Sequence, residues 1–249
     1  MRVAAVLTAA GSGSRLGSDL PKALVPLAGE PVVAHAARAL VAAADLTHLV
    51  VTAPPAHVVD VAAALAGLAP GGCRVDVVPG GPSRQASVAA GLAAVVASGD
   101  LAPADVVLVH DAARPLVGAD AVRRVVAAAA RHGAAIPGLA VTDTVKVVDD
   151  AGRVTATPDR RTLRAVQTPQ GFTLDVLRRA HEAGRDRAHD EATAATDDAG
   201  LVEALGLEVR VVDGDPRAVK ITTAADLALA ERLLHEDAAP ITTAPGGHR

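Results

Sequence analysis

Four short, mostly apolar runs recur along the first half of the chain, each followed by a stretch long enough for a helix. They are "VAAVLTAA" (3–10), "HLVVTA" (48–53), "CRVDVVPG" (73–80) and "DVVLVHDAA" (105–113). Between them, residues 31–44, 56–68, 83–98 and 119–133 show a helical recurrence of Val, Ala and Leu. Pro31 stands at the start of the first helix, Ser83 can cap the third, and Gly133 closes the fourth. Apolar strands joined by crossover helices predict an α/β fold with a mostly parallel sheet covered on both faces. Ligands of such sheets bind beyond the carboxyl ends of the strands. The glycine-rich loop after the first strand, "PGG" after the third and "HDAARP" after the fourth all emerge there. Three informative loops on one edge define the expected site.

At 249 residues and 50% apolar content, the chain can bury a sizeable core as one domain, placed at 1–236. Ala and Val must fill that core, because Trp and Tyr are absent and Phe172 is the one aromatic residue. A formal charge of −4 leaves no electrostatic footprint for nucleic acid, and no aromatic set is present to stack on bases. The single Cys73 excludes an internal disulfide and a cysteine-rich zinc site, and none of the nine histidines has metal-ligand spacing. The opening "MRVAAVLTAAGSG" has the basic residue, apolar run and small residues of a signal peptide. That run is short, however, and the loop after it carries specific chemistry. No stretch approaches the ~20 apolar residues of a membrane span. The expectation is a soluble, cytoplasmic protein with neither nucleic acid nor membrane as a partner.

Beyond residue 134 the rhythm changes. Residues 134–172 hold extended pieces and a turn at "DDAGR", which predicts a β-hairpin arm at about 141–166 and an edge strand leading back to the sheet. Helices at 173–185 and 197–206, a strand at 208–215 and a helix at 223–235 follow. Residues 237–249 lack periodicity and apolar anchors, and are expected to form a disordered tail.

The loop "TAAGSGSRLGSDLPKALVPLAG" (8–29) fails two familiar tests. After Gly11 and Gly13 the third glycine is Gly17, one place late for a dinucleotide fingerprint, and the second strand ends without an acid for a ribose. No Lys-Ser or Lys-Thr follows a glycine, so it is not a P-loop either. What remains is a pair of glycines whose backbone N–H groups can approach an anion, then Arg15 and Lys22, which can converge on a triphosphate. The alternative is a flexible surface turn bearing two solvated cations.

These residues carry a resemblance. "AAGSGSRLGSDLPKALVPLAGEPV" is similar to the start of the nucleotidyltransferases of the glycosyltransferase-A-like fold. "GGPSRQASVAAGL", "VHDAARP", "VTDTVK", "DRRTLRAVQTPQGF", "ATDDAGLVEALG" and "VKITTAADLALAE" then resemble, in order, one branch of them. That branch is the 2-C-methyl-D-erythritol 4-phosphate cytidylyltransferases of non-mevalonate isoprenoid synthesis, and the likeness spans residues 3 to 234. It implies a Rossmann-like three-layer αβα sandwich and transfer of CMP from CTP to a polyol phosphate, with Mg²⁺ accompanying the CTP.

The resemblance also implies roles. Arg15 and Lys22 would stabilise charge on the α-phosphate and the leaving pyrophosphate, with Ala10, Gly11 and Gly13 around the triphosphate. Gly80, Gly81 and Ser87 would read the cytosine, and Arg84 would touch that loop or the nucleotide. Asp111 would lie between nucleotide and acceptor and serve as the metal-side carboxylate, and Arg114 would orient the acceptor. Thr144 and Arg160, on the arm, would hold the acceptor phosphate in the partner subunit of a homodimer, and Lys220 would position the attacking phosphate. Plainer readings stand beside several of these: capping for Ser83 and Ser87, turn formation for Asp111, a solvated surface charge for Lys220. The pattern Thr196-Asp197-Asp198 is present, whereas residues 185–195 align loosely and contribute no site residue. Rival functions are a cytidylyltransferase acting on ribitol 5-phosphate and a catalytically silent nucleotide-binding module.

Overall fold

A computed structural model describes residues 1–11, 16, 18, 20–68 and 72–238. The chain runs through β1 (Val3–Thr8), β2 (Pro26–Leu27), β3 (Glu30–Pro31), α1 (Val32–Ala43), β4 (Leu46–Ala53) and α2 (Val58–Ala64). It continues through β5 (Arg74–Pro79), α3 (Arg84–Ala97), β6 (Val106–Asp111), α4 (Ala119–His132) and β7 (Ala134–Ala140). Then come β8 (Val147–Val148), β9 (Val154–Ala156), β10 (Arg164–Val166), β11 (Gln170–Thr173), α5 (Leu174–Ala183), α6 (Asp198–Ala204), β12 (Arg210–Asp213) and α7 (Ala224–Ala238). The tail expected at 237–249 falls largely outside the described residues.

The main sheet has the order β10-β7-β11-β6-β1-β4-β5, with β12 also paired to β7. β5, β4, β1 and β6 are mutually parallel, in a register that aligns Thr8 with both Thr52 and Asp111 and Ala53 with Pro79. Their carboxyl ends therefore share one edge, as the apolar runs predicted. Helices cover both faces. On one, α1 and α4 bury Val33, Ala37, Leu40, Val122 and Val125 against the Ala5 and Leu7 side of β1. On the other, α3 and α5 bury Val88, Leu92 and Leu177 with Ala4, Val6 and Phe172. Successive β1 side chains point to opposite faces, and both faces are packed, which is why the run carries no charge.

One strand departs from expectation. β11 inserts antiparallel between β6 and β7, pairing Gln170 with Val109 and Gly171 with Ala135. Its sequence, Gln-Gly-Phe-Thr, has little strand character of its own, and tertiary pairing decides it. Gly171 suits the place, because a Cβ there would lie 2.7 Å from the Val125 side chain. The arm is present as the β8–β9 hairpin, turning at 149–153, and Val147, Val148 and Val154 are exposed on it. β10 leads back as an antiparallel strand on β7.

Close packing of α3 on the sheet depends on Gly91, where a Cβ would approach Val6 Cγ1 to 2.5 Å and Thr52 Cγ2 to 3.1 Å. Gly91→Val should therefore destabilise the fold by about 1–3 kcal/mol through overpacking, read as a lower urea midpoint with an unchanged slope.

Candidate active site

The shared carboxyl edge opens into a cleft of about 220 Å³, lined among others by Thr8, Gly11, Lys22, Arg84, Asp111 and Lys220. Asp111, the last residue of β6, is its centre. One carboxylate oxygen, Oδ1, accepts from Arg84 Nε at 3.1 Å and from Thr8 Oγ1 at 3.3 Å. The other, Oδ2, accepts from Lys220 Nζ at 2.8 Å. Burial alone would raise the Asp111 carboxyl, but the Arg84 and Lys220 charges together outweigh it and hold the group well below the usual carboxylate range. Asp111 is ionised throughout the physiological range.

Each partner has a local reason to be there. Ser83 caps α3 by accepting from Ala86 N–H, which fixes the helix start one residue before Arg84. Lys220 arrives on a segment docked by the Ile221 N–H, which donates to the Ala113 carbonyl at 2.8 Å. The turn after β6 is held by a chain of hydrogen bonds. Asp111 N–H donates to Thr168 Oγ1, the Thr168 hydroxyl meets His110 Nδ1 at 2.9 Å, and His110 Nε2 meets the Arg114 carbonyl at 3.1 Å. That chain is satisfied by a neutral His110 protonated on Nε2. Burial pushes the His110 imidazolium down to about 4, which keeps the ring neutral.

The glycine loop after β5 is equally constrained. A Cβ on Gly80 would meet the Ala10 Cβ at 2.5 Å and Ser87 Oγ at 2.9 Å, so only glycine lets this loop lie against the first one. The Ser87 hydroxyl accepts from Gly81 N–H at 3.1 Å and bonds the Ser83 carbonyl at 2.9 Å, tying the loop to α3. Ala10, Gly11, Gly80, Gly81 and Ser87 thus come together at one corner of the edge.

Not every residue implicated from the sequence gathers at the cleft. Arg15 and Gly13 lie outside the described residues. Arg114 stands behind the turn, its guanidinium donating to the Ala218 and Val166 carbonyls at 2.7 and 3.3 Å. Thr144 and Arg160 are exposed on the arm, where Arg160 Nη1 donates to the Thr142 carbonyl at 2.6 Å. Neither is among the described residues lining the cleft.

The resemblance named Arg84 only as touching the glycine loop or the nucleotide, and it gave Asp198 and Glu191 no part in the site. Arg84 bridges Asp111 and the buried Asp198, which accepts from Arg84 Nη1 at 2.8 Å and from His181 Nε2 at 2.9 Å. Glu191 lies at the rim of the cleft and accepts from the Arg84 backbone N–H at 3.2 Å. The quoted motifs contained both Arg84 and Asp198, but their pairing spans 114 residues and no spacing rule reveals it.

As for a divalent metal, the described residues contain no group of three or more His, Cys, Asp or Glu able to hold one. Among the described residues, Asp111 and Glu191 are the carboxylates lining the cleft, and Asp111 has cations on both its oxygens. That donor set fits a cation escorted by substrate phosphates rather than one held by the protein alone.

Neutral His110 gives the fold a pH dependence of known sign. Unfolded, the ring binds a proton near 6.5, and folded only near about 4, so the unfolded state gains protons first as pH falls. Its contribution is complete above 6.5 and is lost progressively toward 4, on the order of 3 kcal/mol at the limit. Urea unfolding from pH 7 to 4.5 should show this loss, and His110→Gln should flatten it.

The family described as IspD, 2-C-methyl-D-erythritol 4-phosphate cytidylyltransferase, matches residues 3–236. A protein of that name from Saccharopolyspora erythraea is 50% identical over 235 residues, which is 94% of this chain and 100% of the relative. Its namesake from Nocardia farcinica is 50% identical over 238 residues, covering 95% of this chain and 96% of the relative. Among solved structures, the 2-C-methyl-D-erythritol 4-phosphate cytidylyltransferase of Thermus thermophilus is 36% identical with a TM-score of 0.71, covering 94% of this chain and all of that one. The 4-diphosphocytidyl-2C-methyl-D-erythritol synthase of Anaerococcus prevotii superposes with a TM-score of 0.77 at 26% identity, covering 94% and 98%. With a cation-lined cleft on the shared carboxyl edge, and relatives that match along nearly their whole length, this chain belongs to the 2-C-methyl-D-erythritol 4-phosphate cytidylyltransferase family.

Proposed function

We propose that the protein transfers CMP from CTP to 2-C-methyl-D-erythritol 4-phosphate, releasing pyrophosphate and forming 4-diphosphocytidyl-2-C-methyl-D-erythritol for isoprenoid synthesis. The observation that carries this reading is the set of cations around Asp111 in a chain of this family. A phosphate oxygen of the acceptor attacks the α-phosphorus of CTP, and the bond from that phosphorus to the bridging oxygen of the β-phosphate breaks. No strong base is needed, because the acceptor phosphate is already largely ionised, its second pKa being about 6.

Two polyanions must meet, so the protein's work is positioning and charge stabilisation. Lys22 and Arg15 take the role of stabilising charge on the α-phosphate and the departing pyrophosphate. Lys220, paired with Asp111, positions the attacking phosphate. The glycine corner reads the cytosine through main-chain groups, and Arg114 orients the acceptor. Mg²⁺ accompanying CTP would rest on Asp111 and the phosphates, and when bound it neutralises phosphate charge.

Thr144 and Arg160 act in trans in this reading. A homodimer that places the arm over the partner's cleft is supported by the exposed valines of the arm and by the distance of both residues from the lining of their own cleft. No described helix is long and apolar enough to cross a membrane, which accords with a cytoplasmic enzyme.

Pyrophosphate release from CTP and Mg²⁺ should occur with methylerythritol phosphate, and not with ribitol 5-phosphate or without an acceptor. Release with ribitol 5-phosphate alone would reassign the acceptor. Lys22→Ala should lower kcat by about 10²–10³ while leaving the melting temperature within a few degrees. If the arm acts in trans, mixing the inactive Arg160→Ala and Lys22→Ala proteins should restore part of the activity. No recovery, with subunit exchange confirmed, would count against the shared site.

A further inference from the structure

The polar groups around Asp111 are unevenly satisfied. Asp111 accepts three hydrogen bonds, and the Glu191 carboxylate already accepts from the backbone of α3. Arg84 is different. Its Nε goes to Asp111 and its Nη1 to Asp198, yet Nη2 is buried with no partner among the described residues. A buried guanidinium N–H without an acceptor is costly, and Arg84 lines the cleft with a side chain only 19% exposed. Two carboxylates already balance its charge. What Arg84 offers is a directional donor on a rigid fork. The spare capacity is for a ligand rich in acceptor oxygens, which describes a phosphate.

Behind the cleft, the fork is held in place. Asp198 is 1% exposed and opens α6, whose first N–H groups, on Asp198 and Ala199, donate to Gln170 Oε1 at 3.1 Å. His181, on α5, closes the other side of Asp198 and is itself buried. The chain Gln170, Asp198, Arg84, Asp111 therefore runs from an interior strand to the cleft. We propose that Arg84 is a substrate-binding residue, its Nη2 donating to a substrate phosphate oxygen, and that Asp198 and His181 are positioning residues acting through it.

This inference rests on the cytidylyltransferase reading, and one set of assays separates the two. Wild-type protein is measured first with CTP, Mg²⁺ and methylerythritol phosphate, and absence of turnover there rejects the reading itself. Given wild-type turnover, Arg84→Lys keeps the charge but cannot reach both carboxylates and a ligand. It should lower kcat/KM by about 10²-fold or more. A selective rise in KM for CTP assigns the contact to the triphosphate, and one for the acceptor assigns it to the acceptor phosphate. Asp198→Asn should lower kcat/KM about tenfold in the wild-type background. In the Arg84→Lys background it should cost less than twofold, because its effect passes through the fork. A merely structural Asp198 would cost the same in both. Should Asp198→Asn fail to fold by thermal melt, His181→Gln, which leaves both charges in place, takes its part in the cycle. Wild-type kinetics from folded Arg84→Lys would overturn the contact, and additive losses would overturn the positioning role.

Discussion

Asp111 is a carboxylate taken almost wholly out of water, and an uncompensated charge in such a place would be worth several kcal/mol against folding. Its compensation comes from parts of the chain 27 and 109 residues away, Arg84 and Lys220, and Arg84 in turn requires Asp198. The parallel sheet puts Thr8 and Asp111 side by side, α3 supplies the guanidinium from one layer, and the segment before α7 brings the ammonium. Remove Arg84 and the two buried carboxylates lose their shared guanidinium, which leaves Asp111 to Lys220 and Thr8 and Asp198 to His181. The charge network is thus a fold constraint that surfaces in the cleft, because the same groups that make Asp111 tolerable also line it.

β11 converts that constraint into geometry. By inserting between β6 and β7 it brings Thr168 under the Asp111 amide and Gln170 under the start of α6. Neither contact reaches the cleft directly: one fixes Asp111, which lines it, and the other fixes Asp198, which stands behind it and holds Arg84. The turn carrying Asp111 is braced by neutral His110, and the helix carrying Asp198 is braced by a side-chain amide. Hydrogen bonds buried at this depth hold one arrangement because every alternative leaves a group unsatisfied.

Much of this was legible in the sequence where local chemistry decides the outcome. β1, β4, β5 and β6 announce themselves as apolar runs because both faces of the sheet are covered, and Ser83 and Gly133 act at the helix ends where their residue types predict. The convergence of Ala10, Gly11, Gly80, Gly81, Lys22 and Asp111 followed from placing their loops on one edge, whereas Lys220 was singled out only by the order of the family's motifs. β11 was not legible, because four residues with a single large apolar side chain become a strand only when two neighbours supply the hydrogen bonds. The bridge from Arg84 to Asp198 was hidden for a similar reason: an ion pair has no sequence period. Loop 185–195, with its charges and alanines, gave no pattern, yet Glu191 stands at the cleft rim.

The late position of β11 in the chain has a consequence for synthesis. β6 is complete at Asp111, but its antiparallel neighbour begins only at Gln170, after α4, β7 and the arm have been made. At about 5–20 residues per second, the ribosome needs roughly 3–12 s to add the intervening segment. For that interval one edge of a fully apolar strand, Val106 to Val109, has no partner from its own chain. The nascent protein must keep that edge from other chains, and its cleft stays incomplete until the segment bearing Lys220 has been made.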